Sequence, residues 1–514
     1  MAFDCTVYFK KIDEVWGMII TDDFDFLCQL RDHLSFFADG YQFAPTYKNN
    51  FWDGKIRMLH ENGRLHLGLW SEVAKFCKQH DQPFKVDPSI KKFILEKEKF
   101  QGFVDKLDCR DEGDPIPPYE YQVAAAHKAL EWQRCILLSP TSSGKSLIQY
   151  MLVRMYEKLI PGEQMLMIVP TVPLVSQMAD DFNNYSSDIE WNAYDHIHQI
   201  TAGVDKKTGK RIVISTYQSL AKLPAEYFHK FKAVMVDEVH TAVSKSITKI
   251  LESCVNAFWR VGLTGTLDEC KTNLMILKGL FGPIFTVITT KELMDMNRVA
   301  QLDIKVVLIE HDEKQRKFMR SSPRGDPDPE TGKIPRRKAN YQEEIVEITN
   351  SKERNLHVMR FAAELKGNTI IMIKNIDHGE NLYKWMKEAL PDRDIYLYTG
   401  ATSKDKRQEI RAIMEKKENA IIIGSLGTIS TGISIKRLHN LVFAHPSKSR
   451  IKVLQSIGRL LRKSKYGNRV NMFDIVDDYC IGAYVNYVWG HGQKRVQYYT
   501  EQQFDFEIIS IKLE

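Results

Sequence analysis

The stretch that decides the fold runs from Cys135 to Tyr156. It reads Cys135-Ile136-Leu137-Leu138, then Ser139-Pro140-Thr141-Ser142-Ser143-Gly144-Lys145-Ser146, then LIQYMLVRMY from Leu147 to Tyr156. The first four residues have the apolar character of a buried strand, and the last ten form an amphipathic helical stretch. The eight between them are loop-formers that end in Gly-Lys-Ser where the helix starts. Strand, loop and helix in that order are the context of a phosphate-binding loop. Pro140, Thr141, Ser142, Ser143, Gly144, Lys145 and Ser146 are therefore expected to wrap the phosphates of ATP, using backbone N–H groups at the helix N-terminus. Lys145 should meet the β- and γ-phosphates, and the Ser146 hydroxyl should ligate Mg²⁺. Ser139 stands where G-x-x-x-x-G-K-[ST] begins with Gly.

Working outward, a second apolar run, Ala233-Val234-Met235-Val236, ends in Asp237-Glu238-Val239-His240, 92 residues after Lys145. A carboxylate at the end of a strand beside a phosphate loop is where the Mg²⁺-holding Asp belongs. Asp237 is expected to position Mg²⁺, directly or through water, and Glu238 to orient and deprotonate an attacking water. His240 reads either as a packing and hydrogen-bonding residue or as an acid or base.

From Cys135 onward, short apolar runs alternate with helical stretches. Five lie before Asp268 (Cys135–Leu138, Met165–Val169, Ile212–Ser215, Ala233–Val236, Arg260–Leu263). Five follow Gly367 (Thr369–Ile373, Ile395–Tyr398, Ala420–Ile423, Asn440–Ala444, Val470–Val476). Strands alternating with helices imply βαβ units and parallel sheets. The expected fold class is α/β, with two doubly wound parallel-sheet lobes in tandem after a small α+β domain. The expected divisions are 1–108, 109–290 and 291–514. Asp108 to Pro118 reads as the linker into the first lobe, and the segment between Phe285 and Gln301 as the hinge.

Composition sets limits on the class. The 514 residues are 43% apolar with mean hydropathy -0.33. Those values exclude a disordered chain, a collagen-like fibre and a multi-span membrane protein. The acidic start MAFDCTVYFKK lacks the basic opening of a secretory signal. Eight cysteines form no C-x-x-C pair and read as reduced core residues. The net charge of +6 is uneven: residues 1–118 hold 16 basic and 20 acidic side chains, so the excess lies beyond them. Lys314 to Lys338 has nine basic and three acidic residues among Pro and Gly, the pattern of a mobile loop. His445 to Val470 has eight Lys or Arg and no acid.

That last run contains Gln455-Ser456-Ile457-Gly458-Arg459-Leu460-Leu461-Arg462. Arg459 and Arg462, three apart, share one helical face and can serve as arginine fingers on a γ-phosphate. With the loop and the DEVH run, this chain resembles the superfamily two helicases. Tyr121-Gln122 is similar to the adenine-reading Gln motif, with Tyr119 where many relatives have Arg. Pro170-Thr171 with Gln177 resembles motif Ia, and Ser215-Thr216-Tyr217-Gln218 the next strand-contacting motif. Leu263-Thr264-Gly265-Thr266 resembles motif III. Tyr398-Thr399-Gly400 with Arg407 resembles the motif near the start of the second lobe. Ser430-Thr431-Gly432-Ile433 resembles motif V, with Ser434 where many relatives carry Asp or Asn. Gln455 to Arg462 resembles motif VI.

The resemblance implies RecA-like lobes that use ATP and Mg²⁺. Tyr121, Gln122 and Gly432 would be at the nucleotide, and Gln455, Arg459 and Arg462 in catalysis. Thr171, Gln177, Thr216, Thr264, Thr399, Gly400, Arg407 and Thr431 would contact nucleic acid. Within the superfamily, PTSSGKSLIQ, QMADDF, TGISIKRLHNLVFAHP, LQSIGRLLRK and the N-terminal FFADGYQF and NNFWDGKIRML are similar to the UvsW recombination-helicase family of T-even-type phages. That family implies 3′-to-5′ translocation on branched or forked DNA (Holliday junctions, replication forks, R-loops) without sequence preference. It also implies a monomer without membrane attachment, in the cytoplasm of an infected bacterium, with single-strand-binding or recombination proteins as partners.

In the N-terminal region, Tyr41, Phe43, Tyr47, Phe51 and Trp52 interleave with Lys48, Lys55 and Arg57. Aromatics beside basic residues suit duplex or junction DNA. The alternative is that these aromatics form the core of a small domain. For the whole chain, the other readings are an RNA or RNA–DNA hybrid helicase and, from another class, an ATP-gated scaffold that never unwinds.

Overall fold

The computed structural model describes residues 6–187, 191–425, 428, 437–461 and 469–513. They fold into two units, Met1–Ile288 and Thr289–Glu514. The first unit opens with six short strands: β1 (Val7–Lys11), β2 (Trp16–Ile20), β3 (Ser35–Phe37), β4 (Lys55–Arg57), β5 (Arg64–His66) and β6 (Phe84–Val86). Four of them form a sheet in the order β5-β2-β1-β6, and β3 pairs with β4 apart from it. Helices Phe24–His33 and Trp70–Gln79 bury Phe26, Leu30, Val73 and Phe76 in this domain's core.

This domain is joined tightly to the lobe that follows. Met275 and Ile276 of helix Lys271–Phe281 pack into its core. Ion pairs join Lys278 to Glu72 at 3.1 Å, Arg134 to Glu14 at 3.1 Å and His66 to Glu252 at 2.9 Å. Gly68 allows the close approach, since a Cβ there would lie 2.2 Å from the Lys278 carbonyl oxygen. Helix Lys97–Asp105, before the expected boundary at 108, buries Phe100 and Val104 in the lobe's core. The segment read as a linker carries a small hairpin, β7 (Arg110–Asp111) with β8 (Asp114–Pro115).

Seven parallel strands then build the first lobe: β9 (Arg134–Leu138), β10 (Gln164–Val169), β11 (Ile197–Ile200), β12 (Ile212–Thr216), β13 (Phe231–Asp237), β14 (Trp259–Thr264) and β15 (Ile284–Thr286). Their order is β11-β12-β10-β13-β14-β9-β15. Successive side chains of a strand point to opposite faces. In β10, Met165, Met167 and Val169 enter one core and Leu166 and Ile168 the other. Both faces are covered, so the strand reads as continuously apolar. Arg260, at the start of the run read as a strand, is fully buried. Its guanidinium donates to the carbonyls of Leu251 and Leu280 at 2.9 Å and Cys254 at 3.1 Å, satisfying acceptors at helix ends.

The second unit contains β16 (Gln301–Glu310), the hairpin β17 (Ser322–Pro323) with β18 (Arg336–Arg337), β19 (Thr369–Ile373), β20 (Ile395–Tyr398), β21 (Ile421–Ser425), β22 (Asn440–Phe443), β23 (Arg469–Asp478) and β24 (Phe506–Lys512). Its main sheet is ordered β20-β21-β19-β22-β23-β16-β24. Position by position, this repeats the first lobe, with β22 standing where β13 stands and β19 where β10 stands. Each sheet has seven strands. The added members, β11, β15, β16 and β24, lie at or next to sheet edges, where half-exposure erases the continuous apolar signature. In β24, Glu507 to Ser510 are all exposed.

The second lobe is pinned by buried ion pairs. Arg354 binds Asp477 through Nε at 3.0 Å, and Arg495 binds Asp474 at 2.8 Å, all with side chains at 0% exposure. Burial raises the Asp477 pKa, but Arg354 and His311 outweigh it and bring it to about 2. An unfolded Asp titrates near about 4. The folded value is depressed, so this stabilisation is complete above about pH 4 and is lost as pH falls towards 2, amounting to about 2–3 kcal/mol. Urea unfolding of the second lobe should track that window. Asp477→Asn should flatten it and also cost about 3–5 kcal/mol at neutral pH by leaving Arg354 unpaired.

Among the described residues, no helix is long and apolar enough to cross a membrane. Seven cysteines are described and all are free. Cys77, Cys109, Cys135 and Cys254 are core residues as expected, but Cys28 is exposed, on the solvent face of helix Phe24–His33.

Candidate ATPase site and nucleic-acid surfaces

The phosphate loop leaves β9 and enters helix Lys145–Leu159 through a left-handed Gly144 at φ 80°. Ser142 is left-handed as well, at φ 68°. Such conformations cost about 1–3 kcal/mol in a non-glycine residue and persist where the surroundings enforce them. Here the Ser143 hydroxyl donates to the Pro140 carbonyl at 2.6 Å and pairs with Ser139 Oγ at 2.6 Å. Ser139 thus has a task that Gly could not perform, since its hydroxyl ties the first residue of the loop to the fifth. Its backbone N–H donates to Thr264 O at 2.9 Å, fixing the loop against β14.

Tyr121 and Gln122 meet this loop directly. Tyr121 Oη and Gln122 Nε2 both donate to the Ser143 carbonyl, at 3.0 and 2.9 Å. Gln122 Oε1 accepts from the Tyr119 backbone N–H at 2.8 Å. Gly144 is required beside them, because a Cβ there would lie 2.1 Å from Gln122 Nε2. The Lys145 ammonium donates to the carbonyls of Ser139 at 3.2 Å and Pro140 at 3.3 Å. Ser146 Oγ shares a hydrogen bond with Tyr185 Oη at 2.8 Å. Tyr185 was not among the expected residues; it lies at the end of another helix with no local motif to mark it.

Asp237 ends β13, and Glu238 follows it in a left-handed conformation at φ 50°. Thr264 Oγ1 donates to Glu238 Oε2 at 3.0 Å, and His240 Nδ1 lies 2.9 Å from Thr264 Oγ1 and 3.3 Å from Glu238 Oε2. This geometry gives His240 a hydrogen-bonding role beside Glu238. Burial and the adjacent Glu238 charge raise the pKa of Asp237. Burial also opposes charge on Glu238, but the His240 hydrogen bond and the Lys145 charge outweigh it and keep Glu238 ionised. Ser146 and Asp237 offer hard oxygen atoms suited to Mg²⁺, which takes few protein ligands when phosphates and water complete its shell.

The expected nucleic-acid residues divide by exposure. Gln177 is exposed on helix Val172–Tyr185, and Thr171 precedes that helix. Gly400 is exposed, and Arg407 donates to its carbonyl at 2.9 Å and to that of Thr399 at 3.1 Å, clamping the turn. Three expectations need correction. Thr264 is fully buried, with its hydroxyl committed to Glu238 and the Thr266 carbonyl, so it supports the carboxylate and does not face DNA. Thr216 is 2% exposed, and its Oγ1 caps helix Tyr217–Leu220 by accepting from Ser219 N. Thr399 is 4% exposed, so the clamped turn offers Gly400 and not the Thr399 side chain.

Gln455 and Arg459 lie in helix Arg450–Leu460, whose N-cap is Ser449. Thr431, Gly432 and Arg462 fall outside the described residues.

In the N-terminal domain, the core contains none of Tyr41, Phe43, Tyr47, Phe51 or Trp52. The core alternative is therefore overturned for Phe43 and Phe51, which are exposed, while Tyr41, Tyr47 and Trp52 are half-buried outside that core. Phe37 and Tyr41 stack at 4.5 Å around the β3–β4 hairpin, while Phe37, Phe43 and Phe51 are 51%, 78% and 84% exposed. Lys48 is exposed, and Lys55 Nζ lies 5.6 Å from the centre of the Phe37 ring. Trp52 Nε1 donates to the Lys55 carbonyl at 2.9 Å, and Arg57 is paired with Asp53. Trp52 and Arg57 thus help to hold the hairpin together.

A phosphate loop facing a carboxylate pair at the strand ends of one lobe, with a second lobe of identical strand order, defines a two-lobe ATP-driven nucleic-acid motor. Comparisons with known proteins narrow that class. Residues 4–87 match the N-terminal domain of the DNA helicase UvsW, residues 115–269 the res subunit of type III restriction enzymes, and residues 351–464 the conserved C-terminal helicase domain. The chain is 34% identical over 505 residues to the ATP-dependent DNA helicase uvsW of Enterobacteria phage T4, covering 94% of this chain and 95% of that protein. It is 25% identical over 398 residues to the DNA 3′-5′ translocase XPB2 of Sulfurisphaera tokodaii, covering 73% and 85%. The crystal structure of T4 UvsW matches with a TM-score of 0.52 at 31% identity, covering 99% of this chain and all of that one. The chain belongs to the UvsW family of ATP-dependent DNA helicases.

Proposed function

We propose that this helicase remodels branched DNA, engaging the branch with the exposed aromatic and basic face of its N-terminal domain. The observation that carries this reading is the β3–β4 element, which keeps Phe37, Phe43 and Phe51 out of the core, with Lys55 near the Phe37 ring and Lys48 exposed on the same element. Exposed aromatic rings are costly unless they are covered in use. Unpaired bases at a branch offer π-faces, and the flanking phosphates offer charge to the lysines.

In the motor, backbone N–H groups of Thr141 to Ser146 bind the ATP phosphates, and Lys145 neutralises the β- and γ-phosphate charge. Ser146 and Asp237 would hold Mg²⁺, which would supply charge neutralisation at the phosphates. Glu238, oriented by Thr264 and His240, positions and deprotonates the attacking water. Gln455, Arg459 and Arg462 serve the γ-phosphate, and Gly432 the nucleotide. Thr171, Gln177, Gly400, Arg407 and Thr431 follow one strand through its phosphates, so sequence is not read. The direction is 3′ to 5′, and the protein works as a monomer in the cytoplasm of an infected bacterium, beside single-strand-binding and recombination proteins.

The test compares DNA-stimulated ATPase and unwinding on four-way junctions, forks, RNA–DNA loops and simple tailed duplexes. Junctions and forks should be processed fastest; equal rates on the tailed duplex would remove the branch preference, and a lead for RNA–DNA loops would favour hybrids. The substitution that addresses the surface is Phe43→Ala with Phe51→Ala, because neither ring supports the core. Fork affinity should fall roughly tenfold, as expected for lost base stacking, while single-strand affinity changes little. Equal losses on both substrates would place the contact on the general track.

A further inference from the structure

The second lobe has a cavity of about 550 Å³ whose lining includes Lys374, Lys448, Lys452, Tyr341, Tyr487 and His491. Lys374 follows β19, and the Lys448 loop follows β22. The cavity therefore opens at the C-terminal ends of two adjacent strands whose chain connections run to opposite sides of the sheet. Open parallel sheets bind ligands at such switch points. In the first lobe, the strand in the β22 position ends in Asp237-Glu238. In this lobe it is followed by His445-Pro446-Ser447-Lys448, so acid has been replaced by base.

The site is built to meet negative charge. No carboxylate lines it, and the three lysines have no ion-pair partner among the described residues. Burial and the Lys374 charge keep His445 neutral, so the positive charge of the site comes from its lysines. The loop carbonyls, which would repel a phosphate, are already occupied. Pro446 O accepts from Tyr341 Oη at 3.3 Å, Ser447 O from Arg495 Nη1 at 3.1 Å and Lys448 O from Tyr498 Oη at 2.9 Å. Arg495 is in turn locked on Asp474, which also accepts from Tyr499. Helix Arg450–Leu460 begins at the rim, behind Ser449, and contributes the positive end of its dipole.

The apolar part of the lining is aromatic. Tyr341 lies 5.1 Å from His491 and 6.3 Å from Tyr487, whose ring is on a residue 42% exposed. Lys374 Nζ sits 5.7 Å from the Tyr341 ring centre. Three lysines drawn from the β19 end, the loop after β22 and helix Arg450–Leu460 can serve successive phosphodiesters, and two tyrosines in the same lining match a base.

We propose that this cavity seats one nucleotide of a single DNA strand, its flanking phosphates on Lys374, Lys448 and Lys452 and its base against Tyr341 and Tyr487. The assignment rests on the DNA-helicase activity and adds to it a base-stacking seat in the second lobe that none of the helicase motifs supplies.

The test uses the full chain and an oligonucleotide carrying 5-iodouracil, which photocrosslinks to aromatic side chains. Crosslinks should map to the peptides containing Tyr341 or Tyr487, and Tyr487→Ala should remove most of the second. Crosslinks confined to other peptides would overturn the seat, as would labelling by free 5-iododeoxyuridine monophosphate without labelling by the strand. Independently, the triple variant Lys374→Gln, Lys448→Gln, Lys452→Gln should bind single strands at least roughly tenfold more weakly. The slope of log affinity against log salt should become shallower by about 2, since each single-strand phosphate contact contributes about 0.7. A variant that melts like the unmodified protein and keeps the full slope would overturn the lysine assignment. Failure of the unmodified chain to bind any single strand would overturn the helicase reading together with this one, which separates the two failures.

Discussion

Lys145→Ala is expected to leave a folded protein with no useful ATP hydrolysis, below about one percent of the unmodified rate. The loop that carries this side chain is shaped by other groups: the Ser139–Ser143 hydroxyl pair, the Ser143-to-Pro140 bond and the Gln122 contact. The Lys145 ammonium itself makes two long bonds among the described residues, to loop carbonyls at 3.2 and 3.3 Å. Removing it therefore costs little folding energy. It does remove the fixed positive charge that faces the phosphates and helps to keep Glu238 ionised. Loss of one preorganised charge-stabilising donor lowers turnover by about 10²–10³, and a full cation in a water-poor site is worth at least that. Steady-state ATPase on saturating single-stranded DNA, with a melting curve as control, checks the result. An active Lys145→Ala protein would show that the phosphate loop has been misassigned.

The second large effect concerns the arginines of the Gln455–Arg462 run. Arg459→Ala and Arg462→Ala are each expected to reduce turnover by about 10³-fold or more while ATP affinity changes by only a few-fold. An arginine finger acts on charge that develops during transfer, so its loss appears in kcat and not in ground-state binding. Lys145→Ala should differ in kind, because Lys145 meets the phosphates already in the ground state. Titration with a fluorescent ATP analogue, beside kcat measured at saturating DNA, separates the two patterns. Normal turnover in either arginine variant would remove that residue from the γ-phosphate. Loss of affinity and turnover in parallel would make it a binding residue instead. Retained single-strand binding by these inactive variants is also expected, and it distinguishes an enzyme with a broken motor from an ATP-gated scaffold.

Much of the fold was legible because parallel strands covered on both faces must be apolar without interruption. Runs such as Met165–Val169 and Ala233–Val236 announce themselves, and each emerges as a strand within a residue or two. The strand–loop–helix unit around Gly144 and Lys145 was equally legible, since its parts are adjacent in the chain. Strands β11, β15, β16 and β24, at or next to sheet edges, were not, although the edge strand β20 was. β24 alternates poorly and is exposed through its middle, so its assignment depends on pairing with β16, about 200 residues earlier.

Polar residues were harder to place, because their chemistry depends on partners far away in the chain. Thr264 sits in a helicase motif, yet nothing local reveals that its hydroxyl is spent on Glu238, 26 residues earlier. Composition could not decide between core and surface for Phe43, Phe51 and Trp52. That depended on which aromatics the four-stranded sheet could cover, and Phe9, Phe26 and Phe76 had already filled its core.

Local order along the chain was thus enough to specify two α/β lobes and the strands and helices that carry Lys145, Asp237 and Arg459, because each depends on neighbours within one strand–loop–helix unit. Folding in three dimensions assigned the rest. It placed His240 and Thr264 behind Glu238, turned Phe43 and Phe51 outward, and gathered Lys374, Lys448 and Tyr487 from three separate elements into one cavity. The physical reason is the same in each case: a hydrogen bond, a buried ring or a cluster of like charges is a relation between distant residues, and sequence spacing carries no record of it.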